Sequence, residues 1–253
     1  MNSSLSRLNI VFHIGRGKTG TTLLQSLGNQ LQDVIYVGKG IDGIKNNFLG
    51  NLNVIHNELF PSLRGEIIGG FSNPSKNNMA TVSHYVDELE KIIHISPEAQ
   101  NLILSDECIS DYQNYLGEQN TFLIIAIGNL LESRLSDRYH ITKNITMTIR
   151  NQVDLIQSFY SYSGGIRISF SNFLERSFLY QKESFFGSLF FNECRELYES
   201  VAGKDWNINL IPYEILSIDG NTKEYIKQAF VLDDKNLIAI NEESFSKKMN
   251  VNS

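Results

Sequence analysis

The stretch NIVFHIGRGKTGTTLLQSLGNQLQ, residues 9–32, constrains the fold more than any other part of the chain. Residues 9–14 form a short, β-branched apolar run ended by glycine, the pattern of a buried strand. Leu23, Leu24, Leu27 and Leu31 recur at helical spacing, which predicts a helix from Thr21 to about Gln32. Between strand and helix stand Gly15, Gly17 and Gly20, with Lys18 among them and Thr21 and Thr22 behind them. Glycines let a backbone turn tightly and approach a ligand closely. A helix start aims free N–H groups and its positive end at the loop before it. The result is a socket for a compact anion. In the nucleoside-triphosphate loop, G-x-x-x-x-G-K-[ST], the lysine directly follows the second glycine. Here Gly15 and Gly20 keep that separation, but Lys18 lies inside the loop and threonine follows. The serine or threonine placed after such a lysine to hold Mg²⁺, and the strand ending in a metal-binding Asp, are not read here.

The rest of the chain repeats the alternation. Strands are expected at 33–37, 101–105, 145–149 and 208–211. Helices are expected at 81–95, 120–136, from Val153 to Tyr162, and at 171–181, 185–201 and 221–230. Residues 38–80 hold several glycines and a short helix near 51–60, and are where an acceptor-binding insertion would lie. Gly164 and Gly165 break the chain after the Val153 helix. Strands alternating with helices imply a mainly parallel sheet covered on both faces. Ligands of such sheets sit beyond the carboxyl ends of the strands. The strands end in GRGKTGTT, in Ser105-Asp106-Glu107, in Arg150 and in Pro212-Tyr213-Glu214, so polar groups from separate strands would face one crevice.

At 253 residues, 42% apolar and 20% charged, the chain suits a single domain spanning 1–253. The formal net charge is −6 and no basic stripe appears, which speaks against nucleic acid as a partner. Any anion site is therefore local. Two cysteines, Cys108 and Cys194, give neither a disulfide framework nor metal-ligand spacing and read as buried thiols. No secretory segment is read at the N-terminus. The apolar run FLIIAIGNLL, residues 122–131, falls short of the roughly 20 residues that span a bilayer, so a buried helix is expected and no integral membrane contact.

FHIGRGKTGTTLLQ, residues 12–25, resembles the 5′-phosphosulfate loop of sulfotransferases that use 3′-phosphoadenosine 5′-phosphosulfate (PAPS), in the version found in bacterial and carbohydrate sulfotransferases. TIRNQVDLIQSFYSY resembles the second motif of that family, a strand ending in Arg, then Asn, with Ser eight residues past the Arg: Arg150, Asn151 and Ser158. Gln152 stands where the family usually has proline. IPYE, residues 211–214, resembles the family's late strand followed by Tyr-Glu, and Ser105-Asp106-Glu107 its Ser-Ser-Glu position.

The resemblance implies an α/β, three-layer, P-loop-like fold with a central, mainly parallel sheet flanked by helices. It implies transfer of a sulfuryl group from PAPS to an acceptor hydroxyl, leaving 3′-phosphoadenosine 5′-phosphate. Because sulfuryl oxygens carry less charge than phosphoryl oxygens, no metal is expected. Lys18 would stabilise the leaving phosphate. Arg16, Gly17, Lys18, Thr19, Gly20, Thr21 and Thr22 would bind the 5′-phosphate, with one threonine alternatively a helix cap. Arg150 and Ser158 would grip the 3′-phosphate, and Tyr213 would lie near the adenine or serve the core. Only Lys247 and Lys248 correspond to the basic C-terminal segment of relatives, whose Arg-Lys-Gly signature is absent.

A base must take the acceptor's proton. The cytosolic relatives use a histidine at the end of the third strand. This chain has Glu107 there, with Asp106 next, and alternatives in Asp42 and His56. His13 reads as structural before catalytic, and His84, His94 and His140 as surface or packing residues. Tyr160, Tyr162 and Arg167 are placed to line an acceptor pocket. The expected acceptor is a glycan or glycolipid precursor, then a small phenol or alcohol. The expected compartment is a bacterial cytoplasm. Two other readings remain: a P-loop kinase or NTPase, and a sulfotransferase-like protein that binds a nucleotide without catalysis.

Overall fold

A computed structural model describes residues 5–14, 23–24, 27–38, 76–105, 117–162, 168–179, 191–217, 221–238 and 240. Among the described residues five strands build one sheet: β1 (Ser6–His13), β2 (Val34–Gly38), β3 (Asn101–Ser105), β4 (Tyr139–Ile149) and β5 (Trp206–Pro212). Their order is β2-β3-β1-β4-β5 and every pairing is parallel. Parallel strands need crossovers, and helices supply them. The helices are α1 (Lys76–Ile95), α2 (Gly117–Leu135), α3 (Gln152–Tyr162), α4 (Phe170–Leu179), α5 (Phe191–Ala202) and α6 (Thr222–Phe230).

The sheet is buried on both faces. Leu8, Ile10 and Phe12 of β1 pack toward α1, α2 and α5. Val11 belongs to the opposite core with α6, Leu24 and Leu27. Alternate residues of one strand thus feed two cores, which is why its apolar run is almost continuous. On α1, Val82, Tyr85, Val86, Leu89, Ile92 and Ile93 are all buried, the face that helical spacing selects. The apolar run 122–131 lies within α2, where Ile124, Ile127, Leu131 and Leu135 face the core. No helix among the described residues is long and apolar enough to cross a membrane.

The strands and helices differ from the sequence reading at their edges. β1 begins at Ser6 and β4 at Tyr139, both earlier than expected. The early part of β4 looks unlike a buried strand because it carries Lys143 and Asn144, yet both are buried and paired. Lys143 Nζ donates to Asn129 Oδ1 at 2.9 Å, contacts Glu132, and lies 5.3 Å from the centre of the Trp206 ring. Leu23, Leu24 and Leu27 are helical, and a 3₁₀ turn, Gly28–Gln30, follows where the helix is expected to continue. There Gly28 packs so closely on Tyr36 that an added Cβ would meet the ring at 2.5 Å. The expected helix at 185–201 is described from Phe191 onward. The short helix near 51–60, the segment 39–75 and Gly164 and Gly165 lie outside the described residues.

Four asparagines in buried or part-buried contacts hold the sheet together. Asn9 Nδ2 donates to Asn101 Oδ1 on β3 and to the carbonyl of Val231, both at 3.0 Å. Asn9 Oδ1 accepts from Asn144 Nδ2 at 2.6 Å and from Thr142 Oγ1 at 3.1 Å on β4. Asn207 Nδ2 on β5 then donates to Asn144 Oδ1 at 3.1 Å. The row crosses β3, β1, β4 and β5, and a one-residue slip of any strand would break it. Val231, which ends α6 in the left-handed region at φ 52°, is held there partly by this row. An unsatisfied buried polar group costs about 1–3 kcal/mol. Asn9→Ala removes four hydrogen bonds at once, so urea melts should show a loss of about 3 kcal/mol or more.

Candidate functional site

The topology creates a crevice before any side chain is considered. β1 leaves toward the face where Leu24, Leu27 and α6 pack, and the chain moves left to β2. β4 leads to β5 on its other side, with α5 packed on the opposite face. Adjacent strands whose chains depart to opposite faces leave a gap at their carboxyl ends, the switch point of a doubly wound sheet. Gly15 to Thr22 follow β1 in sequence and Arg150 follows β4, so the two motifs are launched from the strands flanking that gap.

The carboxyl edge is stepped. Gly38, Ser105 and His13 stand level in register, and His13 pairs with Thr146 of β4. β4 and β5 run on together to Ile149 and Pro212. Three further residues at about 3.3 Å each raise this ledge by about 10 Å.

On the lower level, His13 and Ser105 are fully buried, and His13 Nδ1 shares a hydrogen bond of 2.8 Å with Ser105 Oγ. The imidazole meets Phe230 edge-on at 5.3 Å. Beside it, Thr146 Oγ1 donates to the carbonyl of Ala229 at 2.6 Å. Ser105, His13 and Thr146 thus form a second polar level across the sheet, at the strand ends that lead in sequence into residues 15–22 and 106–107. His13 is a packed, hydrogen-bonded support.

On the upper level, the Arg150 guanidinium lies over the Tyr213 ring at 4.8 Å. Both side chains are half-buried. Tyr213 in turn meets Tyr225 of α6 edge-on at 6.4 Å. Tyr225 is fully buried, and its burial pushes the phenol well above its ordinary pKa of 10.0. A hydrogen bond with Thr148 opposes that rise, while Tyr213 and Glu214 add to it. Asn151 caps α3, its Oδ1 accepting from the N–H groups of Val153 at 3.0 Å and Asp154 at 3.4 Å. The Asn151 N–H itself donates to Glu214 Oε1 at 2.6 Å.

Of the residues singled out in the sequence, Arg150 and Tyr213 are brought into contact. Ser158 stands about two turns along α3, half-buried on the flank of Leu155 and Phe159. Tyr160 packs with Phe170 and Phe173 and donates its hydroxyl to the Ile168 carbonyl at 2.8 Å. His84, His94 and His140 are exposed, and Cys194 is buried. Arg16, Gly17, Lys18, Thr19, Gly20, Thr21, Thr22, Asp42, His56, Asp106, Glu107, Cys108, Arg167, Lys247 and Lys248 lie outside the described residues, as does the Tyr162 side chain. Sequence reading passed over Thr146, Thr148 and Tyr225. The only signal for Tyr225 was its place on the apolar face of α6 with Ile226, Ala229 and Phe230.

Compared with protein-family models, with curated proteins and with solved structures, the chain matches none.

The Tyr225 phenol stays protonated in the folded protein at pH values where the unfolded chain ionises it. Its contribution to stability is complete below about pH 10 and is lost as the pH rises further. Between pH 10 and 11, urea melts should show the native protein losing about 1 kcal/mol more than Tyr225→Phe.

Proposed function

We propose that the chain is a sulfotransferase of the three-layer, P-loop-like fold, moving a sulfuryl group from PAPS to an acceptor hydroxyl on a glycan or glycolipid. The observation that carries this reading is the meeting of motif and topology: GRGKTGTT follows β1, Arg150 follows β4, and these neighbours flank the switch point.

The residues at the upper ledge suit such a donor. A half-buried guanidinium lying on an aromatic face puts a cation and a flat apolar surface side by side. A nucleotide with a phosphate on its ribose needs both. When bound, PAPS supplies an activated sulfuryl group on a phosphate that departs readily. Arg150 and Ser158 hold the 3′-phosphate, and Tyr213 lies against the adenine. Thr21, Thr22 and the backbone N–H groups from Gly17 to Gly20, with Arg16 and Thr19, bind the 5′-phosphate. Lys18 stabilises the charge that grows on the departing phosphate oxygen. Glu107, or Asp106, takes the proton from the acceptor hydroxyl. The buried His13–Ser105 pair anchors the two strand ends from which the loop and these carboxylates continue.

Thermal unfolding with 3′-phosphoadenosine 5′-phosphate, with ATP and magnesium, and with neither tests the reading. The bisphosphate at a hundredfold excess over Kd should add about 2.7 kcal/mol, and ATP little. Arg150→Ala should weaken bisphosphate binding by about tenfold or more, the loss of a charge-assisted contact. Lys18→Ala should instead lower turnover of labelled PAPS on immobilised glycans. Protection by ATP and magnesium alone overturns the assignment in favour of a kinase or NTPase.

A further inference from the structure

A carboxylate beside a phosphate-binding arginine needs an explanation, since like charge repels the anion the arginine serves. Glu214 is such a carboxylate. It follows Tyr213, on whose ring the Arg150 guanidinium lies, and its Oε1 accepts the Asn151 N–H at 2.6 Å. That N–H belongs to the peptide joining Arg150 to Asn151.

The backbone explains why a side chain is used there. The β4–β5 register ends at Ile149↔Pro212, and proline has no N–H to donate. Past that point the chain turns into α3, and Asn151 spends its own side chain on the helix cap. The peptide after Arg150 is planar, so one strong bond to its N–H fixes its orientation and with it the position of the Arg150 Cα. Two consecutive residues of one strand end, Tyr213 and Glu214, thus hold two consecutive residues of the neighbouring one: ring to guanidinium, carboxylate to amide.

We propose that Glu214 is a positioning residue for the Arg150 anion site: it orients the Arg150–Asn151 peptide so that the guanidinium stays on Tyr213, facing a phosphate. This rests on the sulfotransferase reading. It makes a prediction about sign that simple charge does not. If Glu214 were only a nearby negative charge, removing it would tighten anion binding. If it positions Arg150, removing its hydrogen bond loosens binding, while neutralising it with the bond retained does not.

The test is titration calorimetry with 3′-phosphoadenosine 5′-phosphate and with adenosine 5′-phosphate. The ratio of the two affinities isolates the 3′-phosphate. Glu214→Ala should lower that ratio about tenfold. Glu214→Asp keeps the charge but withdraws the carboxylate by one methylene, and should also lower it. Glu214→Gln can still accept the N–H and should keep the ratio or raise it. Far-ultraviolet circular dichroism establishes that each variant folds, and the Asp and Gln pair decides the matter should Glu214→Ala not fold. An unchanged or raised ratio in Glu214→Ala or Glu214→Asp overturns the proposal, as does a Glu214→Gln ratio as low as that of Glu214→Asp. A native protein that binds neither nucleotide, or does not distinguish them, overturns the sulfotransferase reading itself.

Discussion

β1 is hydrogen-bonded to a parallel strand on each edge and covered by a core on each face, and the rest of the structure depends on that enclosure. No polar side chain in its buried stretch, residues 8–13, can reach water, so each must find a partner across the sheet. Asn9 does so near the start of the strand and His13 at its end. The two polar rows they anchor lie on the face of α6, with Val11 and Ile103 between them. Apolar packing alone would tolerate a shift of strand register at modest cost; the Asn9 row and the His13–Ser105 bond do not.

That fixed register decides the shape of the carboxyl edge. With His13, Ser105 and Gly38 level, and β4 and β5 running on past them, the edge has a low part and a ledge. The low part leads in sequence into the glycine-rich stretch and into Asp106 and Glu107. The ledge carries Arg150, Asn151, Tyr213 and Glu214. Where the β4–β5 ladder stops, contacts between side chains and backbone take over the alignment of the two chains. Tyr225, buried below Tyr213 and bonded to Thr148, ties the ledge to α6 and so to the same core as the polar rows.

Much of the architecture was legible because it is written in local pattern. The strand 101–105 was placed to the residue, and the apolar stripe of α1 was named in full. Both signals are periodic and need no knowledge of neighbours. Arg150 and Tyr213 were legible as site candidates because each directly follows a strand. What failed to show was whatever depends on a distant partner. The first half of β4 reads as polar because Lys143 and Asn144 become acceptable only when Asn129, Glu132, Trp206 and Asn9 close around them. Asn101 and Asn207 carry no local signal for the same reason, since their partners are 92 and 63 residues away in sequence.

The sequence by itself determined the class of fold and the parallel sense of the sheet, because hydrophobic period and glycine placement act over a few residues. Only the tertiary structure decided that β1 lies between β3 and β4, that the switch point falls between β1 and β4, and that Glu214 reaches the peptide behind Arg150. Strand order and register come from non-local pairing, where a buried amide or carboxylate commits to a partner that nothing in its own segment specifies.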